Sequence, residues 1–218
     1  SDNDSYGAES IATLVKRLED DRKKFVCIMT GYEHEMEQFL EVNSGLKSRF
    51  PFRIMFDHYN TGQLIDIMKL MLDKKHFRYT QEVLGDASVL IAAAKAIEQD
   101  KFGNGRTVRN TYEAASLHMS ERLVEEGLLQ KRDREQLLTV KTADLPFESI
   151  IKIPRSVIPP LADLRWKHPG RDEELTIEQI DLDGEFPCLT KASFLKVAEA
   201  IKAFRQEKRT EKAEEDFI

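Results

Sequence analysis

The sequence predicts three consecutive parts: an α/β segment, an all-helical bundle, and a small C-terminal extension of mixed α and β character. Three observations lead to this prediction. Residues 25–29 are continuously apolar, which is typical of a strand buried on both faces. From residue 59 onward, apolar residues recur at helical spacing instead. Four of the seven prolines then fall within residues 150–172, where regular structure is disfavoured.

The first part, residues 1–58, combines helices with strand-like runs. Residues 8–20 form an amphipathic pattern, because their apolar side chains repeat at i, i+3, i+4 and i+7 between charged neighbours. Residues 25–30 predict a strand, and residues 52–56 form a second strand-like run after Pro51. A short helix around Met36 and Leu40 separates the two. We therefore expect an α/β arrangement here.

The second part, residues 59–145, reads as helices only. One stripe begins at Leu64, a second helix covers residues 83–97, and a third covers residues 107–126. A proline-rich connection, residues 146–172, holds the only tryptophan. Residues 173–218 then form an accessory extension with its own apolar set, which we expect to pack back against the bundle or against a partner.

Within that extension, the pattern predicts a short strand at residues 175–181 and a turn at residues 183–184. Thr190 is a candidate N-cap for a final helix whose apolar residues repeat at helical spacing. The last ten residues are rich in Lys and Glu, and we expect them to fray.

Composition excludes several classes of protein. The chain has 218 residues and a formal net charge of −6, so a general nucleic-acid-binding surface is not expected. No apolar stretch approaches the roughly 20 residues needed to span a bilayer, and the N-terminal residues lack the features of a secretion signal. Cys27 and Cys188 lie far apart without metal-ligand spacing. We expect a cytoplasmic protein with no metal site of its own.

Three sequence motifs connect the chain to a known family. They are GYEHEME at residues 31–37, NSGLKSRF at residues 43–50 and FGNGRTVRN at residues 102–110. They resemble, in order and spacing, the segments AGY, NPGLRSRF and FGNARxVRN of the AAA+ ATPases of the CbbX (red-type rubisco activase) and stage V sporulation protein K family. The resemblance runs from about Ser10 to Asp144 and implies an AAA+ fold, with an α/β subdomain followed by a helical lid.

The resemblance also implies roles for individual residues. Arg49 corresponds to an arginine finger that acts in trans on a neighbouring subunit's ATP. Arg106 corresponds to the sensor-2 arginine of the lid, on a loop formed with Gly103, Asn104 and Gly105. Gly105 stands where the family usually has alanine.

Each assignment has a plainer alternative. Arg49 could be a surface arginine paired with an acidic neighbour. Thr30 corresponds to the sensor-1 region, where a polar side chain positions the attacking water, but a threonine at the end of a strand is equally often a simple cap.

The family's Walker A and Walker B motifs, which bind the ATP phosphates and Mg²⁺, do not occur in the sequence. The chain is expected to begin just after Walker B, so that ATP and Mg²⁺ require an upstream half. A fragment, a partner subunit lending Arg49 and a degenerate protein are three explanations, of which we favour the fragment.

The function expected from the resemblance is ATP-driven, chaperone-like remodelling of a protein or assembly. The resemblance implies that the full-length protein forms a homo-oligomeric ring, a hexamer, through the face that carries Arg49. The 218-residue chain alone is expected to be inactive. The alternative is a non-catalytic interaction module that uses the lid and the extension.

Overall fold

The computed structural model describes residues 4–42, 44–131 and 133–215. The chain divides into two compact units, Ser1–Asp57 and His58–Ile218. Asn43, the first residue of the motif at residues 43–50, lies outside the described residues.

The first unit is helical where it has regular structure. It contains α1 (Asp4–Asp20), α2 (Glu33–Val42) and α3 (Ser44–Arg49). Both α1 and α2 contact α3, and Leu46 of α3 is fully buried. The predicted amphipathic helix at residues 8–20 is therefore present, and it starts four residues earlier.

The two strands predicted in this unit are absent from the described residues. Residues 25–30 and 52–56 have neither helical nor strand structure, and most of their apolar side chains are exposed, including Val26 at 86% and Phe56 at 91%. A strand exists only through hydrogen bonds to a neighbouring strand, and none of the described residues pairs with either segment. The α/β character expected here thus does not appear in the structure.

The second unit contains seven α-helices within the described residues. They are α4 (Thr61–Lys74), α5 (Gln81–Glu98), α6 (Gly105–Glu125), α7 (Leu128–Lys131), α8 (Arg134–Leu137), α9 (Phe147–Ile151) and α10 (Lys191–Glu215). The α4 helix begins with a capping box, in which Asn60 and Gln63 bond to each other's backbone N–H. The helices predicted from periodicity for residues 83–97 and 107–126 correspond to α5 and α6.

The α5 helix is the centre of this unit. Every residue from Val83 to Ala94 is buried, which is typical of a helix surrounded by other elements on all sides. It contacts α4, α6, α9 and α10. Gly85 of α5 also allows Ile177 to approach closely, because an added Cβ at Gly85 would lie 2.5 Å from Cδ1 of Ile177.

The proline-rich connection and the extension both pack back onto this helix. Trp166 is fully buried, and its indole N–H donates a 3.1 Å hydrogen bond to the Ser88 hydroxyl of α5. Val197 and Ile201 of α10 are also buried in the same core. The apolar residues of the extension, which were expected to need a packing partner, are therefore covered by the helical bundle.

A small antiparallel sheet lies within the proline-rich and extension segments. Its strands are β1 (Trp166–Lys167), β2 (Glu174–Leu175) and β3 (Cys188–Leu189), in the order β2-β1-β3. Trp166 is paired with Leu175 on one side and with Leu189 on the other. The region predicted to be irregular thus contains one central strand.

The final helix is longer than predicted. The Thr190 hydroxyl accepts a hydrogen bond from the Ser193 N–H, as expected of an N-cap. The helix α10 continues to Glu215, so residues 209–215, which were expected to fray, are helical; the rest of the last ten residues lie outside the described residues.

Candidate functional site

The loop that leads into α6 is shaped by its backbone. Phe102 is buried and anchors one end. At Gly103, an added Cβ would lie 2.9 Å from the Thr107 hydroxyl oxygen, so a larger residue would have to displace that side chain. Asn104 has φ 48° and ψ −123°, a conformation that costs a non-glycine residue about 1–3 kcal/mol. Gly105 has open space around its Cα and begins the helix.

The N-terminus of α6 lacks a side-chain cap. The Asn104 side chain makes no capping hydrogen bond to α6, and its amide group instead contacts the His58 ring. The short helix α8 differs, because Asp133 accepts hydrogen bonds from the N–H groups of Glu135 and Gln136. An uncapped helix start presents partial positive charge and N–H donors to solvent, which favours an anion there.

Arg106 lies at this helix start and is exposed. Its backbone N–H donates to the Gly103 carbonyl at 2.9 Å, which tightens the first turn. Within the described ranges, no side-chain hydrogen bond or ion pair engages its guanidinium. Five N–H donors thus stand beside an uncapped helix N-terminus, and Arg109, one turn later, is exposed as well.

Arg49 lies in the first unit, as the last residue of α3. One terminal nitrogen donates to the Gly45 carbonyl at 3.0 Å, and the other lies 3.3 Å from a carboxylate oxygen of Glu19 on α1. The Nε atom is buried and donates no hydrogen bond to any described residue. The side chain is 27% exposed. The plainer alternative, an arginine paired with an acidic neighbour, therefore describes its state in this chain.

Thr30 is exposed and follows the unpaired segment at residues 25–29. Among the described contacts, its side chain has no hydrogen bond, and nothing joins it to Arg49. The structure thus brings Gly103, Asn104, Gly105 and Arg106 together in one loop, while Thr30 and Arg49 belong to the other unit.

Two contacts at these positions had no signal in the sequence. Glu19 pairs with Arg49 from 30 positions away, and His58 contacts Asn104 from 46 positions away. Neither residue belongs to a motif, and pairs of this kind become visible only when the helices that carry them are placed in space.

A buried ion pair holds the far end of α6. Arg122 donates to both carboxylate oxygens of Asp144, at 2.7 and 2.9 Å, and to the Thr139 carbonyl at 3.0 Å. Asp144 is 1% exposed and also accepts the Lys141 N–H. Hydrogen bonding to Asp144 raises the pKa of Arg122 above its ordinary value. This pair fixes α6 to the chain that follows it, so it is structural.

A second ion pair attaches the proline-rich connection to α5. Nε of Arg155 lies 2.7 Å from a carboxylate oxygen of Asp86, and the same guanidinium donates to the Ile158 carbonyl at 2.8 Å. Burial raises the pKa of Asp86, and the charge of Arg155 opposes that rise. The contact stabilises the connection against the bundle.

Two kinds of feature are absent from the described residues. No group of three or more His, Cys, Asp or Glu side chains among them could hold a metal ion. None of the helices in the described ranges has the length and apolarity required to cross a membrane.

The helical unit corresponds to a known domain. Residues 60–152 match the family model of the AAA lid domain. This range runs from the N-cap of α4 to the residue after α9, and includes the loop at residues 102–106 and the Arg122–Asp144 pair. The second unit therefore contains an AAA lid.

Curated relatives place the chain in a family. It is 38% identical over 144 residues to the stage V sporulation protein K of Bacillus subtilis, covering 66% of this chain and 44% of that protein. It is 30% identical over 159 residues to a CfxQ homolog of Pyropia yezoensis, covering 72% and 51%. It is 32% identical over 151 residues to the ESX-1 secretion system protein EccA1 of Mycobacterium leprae, covering 65% and 26%.

The chain belongs to the AAA+ ATPases, in the family that the three motifs indicate, and it corresponds to the C-terminal part of these relatives. It spans about half the length, or less, of the curated relatives it matches.

Proposed function

We propose that this chain supplies the lid and an arginine finger to an AAA+ ATPase that couples ATP hydrolysis to the remodelling of a protein or assembly. The observation that carries the proposal is Arg106, whose exposed guanidinium stands at the uncapped start of α6 inside a domain that matches the AAA lid.

The chemistry of this loop suits a polyphosphate. A guanidinium can engage phosphate oxygens through two parallel hydrogen bonds, and an uncapped helix start adds backbone donors and a favourable dipole. Gly105 leaves the backbone open to close approach, because nothing lies within 4 Å of the position its Cβ would take. We assign Arg106 the sensor-2 role, in which it binds the phosphates of ATP from the lid.

Mg²⁺ requires ligands that the described residues do not supply, because they contain no cluster of three or more carboxylate, His or Cys side chains. Oxygen ligands for Mg²⁺, together with the phosphate-binding backbone, would come from a Walker A and Walker B half. When bound there, Mg²⁺ would neutralise charge on the phosphates.

Arg49 is the proposed finger. A guanidinium aimed at the γ-phosphate from a neighbouring subunit stabilises the charge that develops during phosphoryl transfer. To do so, Arg49 must leave Glu19, and this costs little because an ion pair exposed to this degree is worth about 0–1 kcal/mol. Glu19 would thus hold the finger while no phosphate is present. Thr30 stays a proposed sensor-1 residue on the resemblance alone.

Exposed apolar segments support a larger first subdomain. Val26 and Ile28 in one segment, and Phe52, Ile54 and Phe56 in the other, are each at least 77% exposed. Apolar runs of high β-propensity are stable in water only when they are covered or paired. We infer that both segments are strands of an AAA+ sheet whose other strands belong to an upstream half.

The test uses a full-length protein that carries the Walker A and Walker B half. Arg49→Ala should lower kcat by at least about a hundredfold with little change in ATP affinity, because a finger acts mainly in the transition state. Arg106→Ala should weaken ATP binding and lower kcat together, because its contacts persist in the bound state. Arg134→Ala is the matched control, since Arg134 is an exposed arginine at the start of a capped helix.

Mixed rings test whether Arg49 acts in trans. Subunits with Arg49→Ala and subunits lacking the Walker A lysine should recover activity when combined, because some interfaces then contain both intact groups. Equal losses of affinity and rate in the Arg49 variant, or no recovery on mixing, would contradict the assignment.

The non-catalytic alternative has its own supporting observation. Residues 153–204 lie outside the lid match yet contribute side chains to the same core, so such a module would combine the lid and the extension in one folded unit. Both proposals predict that the 218-residue chain alone turns over no ATP, and micromolar ATP affinity of that chain by calorimetry would contradict both. The two proposals are distinguished by the sequence upstream of residue 1. Intact Walker A and Walker B motifs there would support the ATPase and count against the non-catalytic module.

A further inference from the structure

Asn104 occupies a tight turn that leads into α6. The Arg106 N–H donates to the Gly103 carbonyl at 2.9 Å, which closes a four-residue turn. The Asn104 angles of φ 48° and ψ −123° are those of the first central residue of a type II′ turn. Glycine is preferred at this position. Asn104 therefore adopts a conformation that is costly for it, and such a conformation persists only when its surroundings hold it in place.

Two contacts hold Asn104. Its carbonyl accepts a hydrogen bond from the Val108 N–H at 3.3 Å, within the first turn of α6. Its side-chain amide nitrogen lies within hydrogen-bond distance of Nδ1 of the His58 ring. The side-chain oxygen of Asn104 is buried and accepts no hydrogen bond from any described residue. Among the residues that the structure describes, His58 is thus the only one that bonds to this side chain.

His58 is itself fixed to the start of another helix. It is the first residue of the second unit, and two residues later Asn60 forms the capping box of α4 with Gln63. The α4 helix packs against α6. His58, just before α4, therefore meets Asn104, just before α6, and joins the starts of two packed helices.

The contact is not a consequence of core packing. His58 is exposed, so little apolar surface is buried by placing its ring beside Asn104. For the same reason, substitution of His58 leaves the core intact. What the ring supplies is a hydrogen bond to the one residue of the turn whose backbone is strained.

We propose that His58 is a positioning residue for Arg106. By bonding to the Asn104 side chain, it keeps the turn at residues 103–106 closed and so fixes where the guanidinium of Arg106 is presented. Opening of the turn would displace Arg106, because its own N–H closes the turn. The inference rests on the proposed role of Arg106 in binding the phosphates of ATP, whereas the contact between His58 and Asn104 does not depend on that role.

Hydrogen exchange of the Arg106 backbone N–H, measured by NMR on the 218-residue chain, tests whether His58 holds the turn. This N–H is protected only while the turn is closed. His58→Ala should raise its exchange rate about three- to tenfold, because one hydrogen bond that holds the turn is lost. His58→Gln should restore most of the protection, since its side-chain amide can also accept a hydrogen bond from Asn104.

His34→Ala is the matched control. His34 is also exposed, and its ring likewise contacts a side-chain amide, that of Gln38. Both residues belong to α2, so this substitution should leave exchange of the Arg106 N–H within about 1.5-fold of the parent. Circular dichroism checks that each variant folds, and His58→Leu, which also lacks a hydrogen-bonding group, replaces His58→Ala if that variant does not.

A glycine background separates the turn from a general effect on stability. Glycine adopts the conformation of Asn104 without strain and has no side chain for His58 to hold. In Asn104→Gly, a further His58→Ala substitution should therefore change the Arg106 exchange rate by less than about 1.5-fold.

ATP binding by the full-length protein tests whether His58 acts through Arg106. His58→Ala should weaken ATP binding about three- to tenfold, and His58→Gln should restore it. In an Arg106→Ala background, His58→Ala should change ATP affinity by less than about twofold, because the group that it positions is absent. A merely structural role would give equal losses in both backgrounds.

Four results would overturn the inference. Two concern the turn: Arg106 exchange that His58→Ala leaves unchanged, or an equal increase in the Asn104→Gly background. Two concern ATP: a loss of affinity that is equal with and without Arg106, or no loss in His58→Ala while Arg106→Ala does weaken binding. If Arg106→Ala itself leaves ATP affinity unchanged, the proposed function fails and the positioning role fails with it, even where the exchange data show that His58 holds the turn.

Discussion

Gly62→Ala tests whether the extension is built into the lid. Gly62 lies in the first turn of α4, and an added Cβ would lie 2.1 Å from the Phe186 carbonyl oxygen. The same segment is held to α4 by a 3.0 Å hydrogen bond from the Phe186 N–H to Asp66 and a 2.6 Å hydrogen bond from Lys69 to the Gly184 carbonyl. Because the obstructing atom is a backbone carbonyl oxygen, no change of side-chain rotamer can relieve the clash.

The expected change in the free energy of unfolding combines one stabilising contribution with two destabilising ones. Alanine in a helix interior is favoured over glycine by about 1 kcal/mol. Overpacking a filled contact costs about 1–3 kcal/mol, and each hydrogen bond that the displaced segment loses costs about 1 kcal/mol more. With both hydrogen bonds lost, we expect Gly62→Ala to destabilise the chain by about 2–4 kcal/mol.

Urea denaturation of the 218-residue chain measures this effect, followed by far-UV circular dichroism and by the fluorescence of Trp166. Gly105→Ala is the matched control: it also adds a Cβ near a helix start, but nothing lies within 4 Å of it. It should be neutral or stabilising by up to about 1 kcal/mol. If Gly62→Ala were as stable as Gly105→Ala, the reasoning that places residue 186 against α4 would be wrong.

Three further predictions concern the second unit. Asp144→Asn should cost about 3–5 kcal/mol in the same urea assay, because it leaves the charge of Arg122 largely buried without its partner. Asn104→Gly should raise stability by about 1 kcal/mol by relieving the positive φ; unchanged or lower stability would show that the side chain is worth more than the strain. Burial, together with a hydrogen bond to Asp73, raises the pKa of Tyr79. The stability contributed by its neutral phenol is therefore fully present below about pH 10 and is lost as the pH rises further. Tyr79→Phe should show a smaller loss than the parent when urea midpoints are compared above that pH.

The helices of the lid could be predicted because their signal is local. The stripe that begins at Leu64 and the Asn60 capping box define α4 within one stretch of sequence, and the same holds for α5 and α6. The loop at residues 102–106 was found from its motif. Its left-handed Asn104, in contrast, is a backbone property that asparagine permits but does not require.

The strands of the first unit were not predictable in the same way. A continuous apolar run at residues 25–29 indicates a strand that is buried on both faces, but burial and pairing are supplied by other strands. The described residues supply none, so the segment has neither helical nor strand structure and most of its apolar side chains are exposed. The local sequence therefore indicates the conformation that a segment favours, whereas contacts with the rest of the protein determine whether that conformation forms.

Contacts between residues far apart in the sequence limit how much of the packing of the connection and the extension can be predicted. Arg155 meets Asp86 across 69 positions and Trp166 meets Ser88 across 78, and neither pair has a spacing that a motif could reveal. The sequence nevertheless showed that the extension needed cover, because its helix carries an apolar stripe. It could not show that α5 provides that cover.

The shared core has a consequence for how the lid can move. Separating the connection and the extension from α5 would expose Trp166, Val197 and Ile201, all now buried, and would break the ion pair between Arg155 and Asp86. Full exposure of large apolar side chains costs about 1.5–3 kcal/mol each. Such a separation is therefore unfavourable. Under the proposed function, a rotation of the lid that brings Arg106 toward a nucleotide would consequently carry α10 along with it.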